Sequence, residues 1–283
     1  MCDQDHSEKE LLELDAEGKI TRRQFGAFLG AGVMMMLPAV QNPVAVTESE
    51  VTIKTPDGTC DAYFVHPTTG TAPGVLVWPD IFGLRPAFRQ MGKRLAESGY
   101  SVLVVNPFYR VQKAPTAAQG AATPIQGLVP LMSALTPTIQ ATDAKAFTAW
   151  LDQQASVAKN RKMGTQGYCM GGPIAFRTAA ASDRIGAAAS FHGAALTGTA
   201  PDSPNVMAAK TKAKFLAAIS ENDDMSRPME KTVLKDTLGA AVKVDVYKGA
   251  QHGWCPPDSG VYNKDLAEKA WADLLVLYKQ ALA

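Results

Sequence analysis

The stretch "QGYCMGGPIAFRTAA", residues 166–180, sets a cysteine between glycines immediately before an alanine-rich run with helical character. Gly167-x-Cys169-x-Gly171 has the spacing of a nucleophile elbow, with sulfur in place of the usual hydroxyl oxygen. The backbone of such a bend is strained, and larger flanking side chains would collide with the adjoining strand and helix. The helix N-terminus would direct free amides at the sulfur, with Met170 as the expected first oxyanion donor. The pattern predicts a nucleophile; a buried structural cysteine is the alternative.

An acid and a histidine follow this cysteine in the chain order that an α/β hydrolase requires. The strand-like run "AKFLAAIS" leads into the acidic segment 221–224, and "VKVDVYKGAQ" leads into His252. In that arrangement His252 would exchange a proton with the sulfur of Cys169, while an aspartate would hold the other imidazole nitrogen. A lone loop histidine is usually a polar surface residue, but this ordered position favours a catalytic role.

Two neighbouring aspartates compete for the role of the acid. Asp223 lies three residues after Ser220, which matches the Gly-x-x-Asp spacing usual for this loop. Asp224 lies four residues before Pro228, which is also a familiar spacing. We favour Asp223 and interpret Asp224 as a solvated residue at the start of a helix.

The other histidines are weaker candidates for the catalytic base. His192, in "SFHG", follows a predicted strand but precedes the acid in the chain, so we interpret it as a pocket or structural residue. His66 falls in an early hairpin and His6 near the N-terminus, and neither position suits the reaction.

The elements that must position these residues follow from the spacing of apolar residues. Residues 51–67 predict a β-hairpin that turns at residues 56–58, and residues 108–137 predict a cap-like excursion without strong periodicity. Strands that alternate with helices predict an α/β protein with a mostly parallel central sheet covered on both faces. The further predicted strands are 74–80, 101–107, 162–169, 185–191, 213–220 and 242–249, and the predicted helices are 88–99, 139–154, 171–181, 227–238 and 263–282.

Composition excludes several classes of function. The chain has 283 residues, 46% of them apolar, which suffices for one sizeable core. Its 28 basic and 27 acidic residues nearly balance, which argues against nucleic acid as a partner. Its four cysteines form no C-x-x-C pair or Cys/His cluster, so we expect no metal site. No P-loop or dinucleotide fingerprint is present, so we expect no cofactor.

The N-terminal sequence is typical of a targeting segment. Arg22 and Arg23 precede an uncharged run over residues 25–40, which is shorter than the ~20 apolar residues of a membrane span. Paired arginines before such a run resemble a twin-arginine export signal, although no clean Ala-x-Ala cleavage site follows. We therefore predict a signal segment over residues 1–45, a hydrolase domain over residues 46–283, and a periplasmic or exported protein. The alternative is an ordinary buried helix in a cytoplasmic protein.

Taken together, these segments resemble the dienelactone hydrolase family of α/β hydrolases over most of residues 51–282. The resemblance is carried by "TPDGTCDAYFVHP", "GVLVWPDIFGLRPAFRQMGKRLAESGYSVLVVNPF", "GYCMGG", "SENDD" and "QHGW". A cysteine nucleophile together with the Asp-Ile-Phe-Gly segment is a fairly specific pairing, because most α/β hydrolases use serine. The resemblance implies an α/β-hydrolase fold and the hydrolysis of a small ester or lactone, as in a carboxymethylenebutenolidase, by a monomer or small homo-oligomer.

Carried over residue by residue, the resemblance implies a triad of Cys169, Asp223 and His252. It also implies an oxyanion hole built from the backbone amides of Ile81 and Met170. Asp80 falls where family members often carry a glutamate that engages the resting thiol; here the side chain is one methylene shorter. The alternative for Asp80 is a residue that caps the turn after a strand.

The substrate-binding pattern departs from that of the family. Characterised dienelactone enzymes have an arginine four residues after the histidine, and it binds the substrate carboxylate; here that position is Pro256. Arg85, Arg89 and Arg110 could supply a cation from elsewhere, but we interpret each of them as a solvated surface charge.

Two other functions compete with hydrolysis. A non-catalytic protein could keep the hydrolase fold and use the pocket to bind a small ligand. A redox role for Cys169 would require a resolving cysteine, and Cys255, close to His252 in the chain, is the candidate.

Overall fold

Within the residues that the structure describes, the fold is built on eight strands, and their bounds agree closely with the sequence prediction. The structure, a computed structural model, describes residues 34–118 and 120–283. The strands are β1 (Val46–Thr55), β2 (Gly58–Pro67), β3 (Gly74–Trp78), β4 (Ser101–Val105), β5 (Met163–Tyr168), β6 (Ile185–Phe191), β7 (Lys214–Ser220) and β8 (Val242–Tyr247).

All eight strands belong to one sheet, in the order β1-β2-β4-β3-β5-β6-β7-β8. The predicted hairpin forms, with Thr55 paired to Gly58, and β2 also runs antiparallel to β4. Every other neighbouring pair, from β4 through to β8, is parallel. The predicted mostly parallel sheet is therefore confirmed, with the antiparallel pairing confined to one edge.

Helices cover both faces of the sheet. They are α1 (Pro86–Glu97), α2 (Val129–Ser133), α3 (Pro137–Gln153), α4 (Gly171–Ala181), α5 (Pro204–Ala208), α6 (Glu221–Ser226), α7 (Glu230–Leu238) and α8 (Lys264–Ala281). Successive residues of a strand point to opposite faces, so Leu76 packs with α3 and α4, whereas Val75 and Val77 pack with α1 and α8. The short helices α5 and α6 were not predicted.

The segment between β4 and α3, the predicted cap, contains little regular structure. It has two short 3₁₀ turns, Gly120–Ala122 and Ile125–Gly127, followed by α2. Leu128 is buried, and Ile125 and Met132 pack against the same apolar cluster as the loop that carries Cys169. The cap therefore packs on the same face of the sheet as α3 and α4.

Residues 34–45 run across the folded body before β1 begins. The amide of Met35 donates to the carbonyl oxygen of Pro257 (2.9 Å), and that of Val44 donates to Glu97 (3.0 Å). Leu37 packs against the cluster beneath α1 and α8. Arg22 and Arg23 lie outside the described residues, so the boundary at residue 45 stays a prediction. No helix in the described part of the chain is long and apolar enough to cross a membrane.

Candidate active site

Cys169 occupies the bend between β5 and α4. It is buried, and its φ of 52° is in the left-handed region that residues other than glycine rarely adopt. The chain is so close-packed here that a Cβ on Gly167 would lie 1.8 Å from the carbonyl oxygen of Gly171. The flanking glycines are therefore required by contact between the strand and the helix, as the elbow spacing predicts.

The side chain of His192 binds the backbone of this bend. The amide of Cys169 donates both to the carbonyl oxygen of Phe191 (3.0 Å) and to Nδ1 of His192 (3.1 Å). His192 is completely buried at a φ of 41°, and its ring lies 5.1 Å from that of His252. Burial and the neighbouring His252 lower the pKa of His192 well below its usual value, so the ring is neutral.

Asp223 binds the imidazole of His252. Nδ1 of His252 lies 2.9 Å and 3.1 Å from the two carboxylate oxygens. Asp224, in the next position, lies in the first turn of α6 as predicted, and its partly exposed carboxylate accepts two hydrogen bonds from Lys231 (2.7 and 2.8 Å). The structure thus brings His252 together with the favoured aspartate and not with the alternative.

The pKa values of this pair move in opposite directions. Burial alone would raise the pKa of Asp223, but His252, Ser220 and Arg227 outweigh it and hold the pKa below its usual value. Burial alone would lower the pKa of His252, but Asp223 and the Cys169 thiol outweigh it and raise the pKa well above its usual value. Nε2 of His252, the ring nitrogen that does not bind Asp223, makes no other hydrogen bond among the described residues.

Two residues that sequence reasoning missed join the acid loop to the histidine loop. The side-chain oxygen of Asn222 accepts from the amide of His252 (2.8 Å). The amide of Glu221 donates to the carbonyl oxygen of Ala250 (3.0 Å), and the Glu221 carboxylate accepts from the amide of Gly249 (3.0 Å). Their position at the ends of two adjacent parallel strands was the available signal.

The backbone amides of Ile81 and Met170 lie in two segments that contact each other, the loop after β3 and the start of α4. Ile81 follows β3, and Met170 is the N-cap of α4. A Cβ on Gly171 would lie 2.4 Å from the carbonyl oxygen of Trp78, so α4 begins directly against the end of β3. Within the described residues, neither amide donates to a backbone or side-chain acceptor. Both are therefore free to bind an oxygen atom of a ligand.

Asp80 and Arg85 form a buried ion pair behind Ile81. Both oxygens of Asp80 accept from Arg85 (2.6 and 3.0 Å), and Asp80 also accepts from the amide of Phe82 (3.0 Å), as its alternative role as a turn cap predicted. Arg85 further binds Asp258, on the histidine loop. Only 1% of Arg85 is exposed, so its interpretation as a solvated surface charge is wrong.

The other two arginines considered for the substrate are also engaged. Arg89 pairs with Glu50 at the surface. Arg110 pairs with Asp57 and with the buried Asp143, so it too is more than a solvated charge.

Cys255, the candidate resolving cysteine, lies on the other side of the sheet from Cys169. Cys60, Cys169 and Cys255 are all free thiols. Cys255 packs with Tyr168 and Phe191 in the cluster beneath α1 and α8, whereas Cys169 belongs to the cluster on the other side of the sheet. Among the described residues, no group of three or more His, Cys, Asp or Glu side chains could hold a metal ion.

Comparison with known proteins gives a consistent result. The model of the dienelactone hydrolase family matches residues 60–282. A protein of Synechocystis named "Putative carboxymethylenebutenolidase" is 28% identical over 250 residues, which cover 84% of this chain and 99% of that protein. A protein of the same name from Escherichia coli K12 is 28% identical over 272 residues, which cover 92% and 97%.

Solved structures share the fold at lower identity. A crystal structure of a "Putative Dienelactone Hydrolase" from Klebsiella pneumoniae superposes with a TM-score of 0.72 at 21% identity, covering 83% of this chain and 99% of that one. The elbow, the order of strands and the family match agree with one another. The chain therefore belongs to the dienelactone hydrolase family of carboxylic ester hydrolases, and it has the α/β-hydrolase fold.

Proposed function

We propose that this protein hydrolyses a small carboxylic ester or lactone through a triad of Cys169, His252 and Asp223. The observation that carries the proposal is the juxtaposition at the elbow. Cys169 is held at a positive φ on the bend, the Cys169 side chain is close enough to contribute to the raised pKa of His252, and Asp223 binds the opposite ring nitrogen at 2.9 Å. A sulfur, an imidazole and a carboxylate in this relation are the parts of a nucleophilic triad.

The first half of the proposed reaction forms a thioester. The sulfur of Cys169 attacks the carbonyl carbon, and the carbonyl oxygen becomes an oxyanion bound by the amides of Ile81 and Met170. His252 takes the thiol proton and passes it to the alkoxide that leaves when the carbon–oxygen bond breaks. Loss of one oxyanion donor would raise the barrier by about 3 kcal/mol.

The second half releases the acyl group. His252 removes a proton from a water molecule, the resulting hydroxide attacks the thioester, and the sulfur leaves as thiolate to be reprotonated by His252. Asp223 keeps Nδ1 protonated and stabilises the imidazolium that forms twice in each cycle. Since a thiolate is readily expelled from an adduct with a poor leaving group, activated esters and enol lactones suit this site better than amides.

The test is the loss of turnover on replacing the proposed nucleophile. Cys169→Ala should abolish hydrolysis of 4-nitrophenyl esters and of enol lactones while its circular dichroism spectrum and unfolding midpoint stay close to those of the wild type. Cys255→Ala is the matched control, because it removes another buried thiol from the opposite side of the sheet. Iodoacetamide should label Cys169, and an ester analogue should protect it.

Two outcomes would contradict the proposal. Full activity of Cys169→Ala would exclude the cysteine as nucleophile. An inert thiol and no turnover of any ester by the wild type would instead favour a small-molecule-binding protein on a hydrolase fold.

We further propose that residues 1–45 direct export by the twin-arginine route, on the strength of Arg22, Arg23 and the uncharged run that follows them. Replacing both arginines by lysine should retain the protein in the cytoplasm of a bacterial host in which the wild type reaches the periplasm. Equal distribution of the two forms would contradict export.

A further inference from the structure

Arg85 has no donor left for a substrate. A guanidinium group carries five N–H bonds. Nε donates to Asp258 (2.6 Å), Nη1 donates to Asp80 (2.6 Å) and to the carbonyl oxygen of Gly83 (3.4 Å), and Nη2 donates to Asp80 (3.0 Å) and Asp258 (2.9 Å). All five are therefore satisfied within the protein.

The surroundings of Arg85 also close it to a ligand. Its guanidinium carbon lies 4.9 Å from the ring centroid of Phe88 and 5.4 Å from that of Phe82. The cap also lies close to the Arg85–Asp258 pair, because a Cβ added to Gly120 would lie 3.2 Å from a carboxylate oxygen of Asp258. A substrate carboxylate could reach this cation only by displacing one of its two carboxylate partners, which would leave a buried charge unpaired.

Negative charge dominates the loops around the proposed site. The four loops together contain five carboxylates and two arginines. They are residues 79–85, 168–171, 220–228 and 249–259. The second arginine, Arg227, is bound by Glu230 (3.2 Å) and lies 3.6 Å from Asp223. On the next helix, Lys231 is bound by Asp224. The cations close to the triad are therefore matched or outnumbered by carboxylates.

The cap contributes apolar side chains to this region. Ile125, Val129 and Met132 pack against the cluster that contains Cys169 and Met170. Apolar side chains on this face offer no partner to a charged group, and a charge that loses its water there is penalised.

We propose that the substrate is an ester or lactone with no negative charge near the scissile bond, because the Asp80–Arg85–Asp258 cluster and the surrounding carboxylates disfavour an anion. This inference rests on the proposed hydrolase function and narrows it to a class of substrate. It separates this chain from an enzyme that binds the free carboxylate of its lactone.

The test compares carboxymethylenebutenolide, which is an anion at neutral pH, with its methyl ester. Each kcat/KM is divided by the rate constant of hydroxide-catalysed hydrolysis, which removes the difference in intrinsic reactivity. We expect the wild type to favour the methyl ester by about tenfold or more, as repulsion by partly screened charges at the site implies. This comparison needs no variant to fold.

A variant with one fewer negative charge then tests whether the Asp80–Arg85–Asp258 cluster causes the preference for the methyl ester over the acid. Asp258→Asn removes one negative charge from the cluster and should narrow the preference for the methyl ester by about threefold or more. Asp236→Asn is the matched control, because it removes the same charge from an exposed position on α7 and should leave the preference unchanged.

The possible failures are distinguishable. A wild type that hydrolyses the acid at least as fast as the methyl ester, with Cys169→Ala inactive on both, would overturn the inference and keep the hydrolase function. A wild type that hydrolyses neither compound, nor any 4-nitrophenyl ester, would overturn the proposed function and this inference with it.

Discussion

Asp223 and Asp224 are chemically identical neighbours, yet they have different partners. The first is buried against His252, and the second accepts from Lys231 closer to the surface. One peptide step on a short helix turns the side chain by about 100°, so only one of the two can point at the histidine loop. Replacing either aspartate by asparagine changes the charge and the size of the side chain by the same amount, so the two variants form a matched test.

Asp223→Asn should reduce kcat on a 4-nitrophenyl ester by about 10³-fold or more, because an amide in place of the carboxylate stabilises the wrong tautomer of His252. Asp224→Asn should change kcat by less than about threefold, because it removes only a peripheral ion pair. Steady-state kinetics of the two variants checks this. Equal losses in both, or a larger loss in Asp224→Asn, would reassign the acid.

The raised pKa of His252 also predicts how stability depends on pH. The folded chain binds the His252 proton more tightly than the unfolded chain, whose histidine titrates near 6.5. The stabilisation is therefore complete below that pH and is lost as the pH rises through the raised value. The difference in unfolding free energy between the wild type and His252→Gln should be larger at about pH 5.5 than at about pH 9. Urea unfolding at both pH values measures it, and a larger difference at alkaline pH would contradict the pairing.

Residue types alone did not reveal which charges are buried. Arginine is rarely buried, so its residue type alone did not predict that Arg85 lies inside the protein. Its burial depends on Asp80 and on Asp258, which is 173 residues away in the chain. Cys169, Asp223 and His252 were easier to single out, because each comes within five residues of the end of a strand whose apolar run is visible in the sequence.

At the scale of elements, the elbow is fixed by contact between β5 and α4. The atom closest to Gly167 belongs to the backbone of Gly171, so it cannot move aside as a flexible side chain could. Gly127 provides a contrast, because no atom lies within 4 Å of a Cβ added there.

Gly167→Ala should lower the unfolding free energy by about 3 kcal/mol or more and disrupt the geometry of the nucleophile. Gly127→Ala should change it by less than about 1 kcal/mol. Denaturant unfolding of the two variants, together with their kcat values, measures the effect. A Gly167→Ala protein as stable and as active as the wild type would show that the elbow is not tightly packed.

Long elements were predicted well from periodicity, and short ones were not. The helix predicted over residues 263–282 is observed as Lys264–Ala281, and Ala270 and Leu274 on its inner face are buried. The six residues of α6 are too few to show a period, and their structure depends on the cap provided by the side chain of Ser220. This helix orients Asp223, so an element that periodicity does not predict sets the contact between Asp223 and His252.

At the scale of the whole molecule, residues 34–45 are part of the packed structure before the hairpin begins. Leu37 lies against the apolar cluster beneath α1 and α8, whereas the adjacent Met36 is 79% exposed. The contact of Met35 with Pro257 places this segment beside the histidine loop.

Leu37→Ser should lower the unfolding free energy by about 1 to 2 kcal/mol, because it removes partly buried apolar surface. Met36→Ser should have almost no effect, because the side chain it replaces is already in water. Denaturant unfolding of both variants is the measurement. Equal stability of the two would mean that residues 34–45 do not pack on the domain in solution.

The cap leaves the sheet after β4 and returns at α3 without adding a strand. Strand order, elbow and acid loop are all completed by other parts of the chain. Substitutions within residues 120–136 would therefore leave Cys169, Asp223 and His252 in place, because none of the strands and loops that hold these three residues passes through that segment.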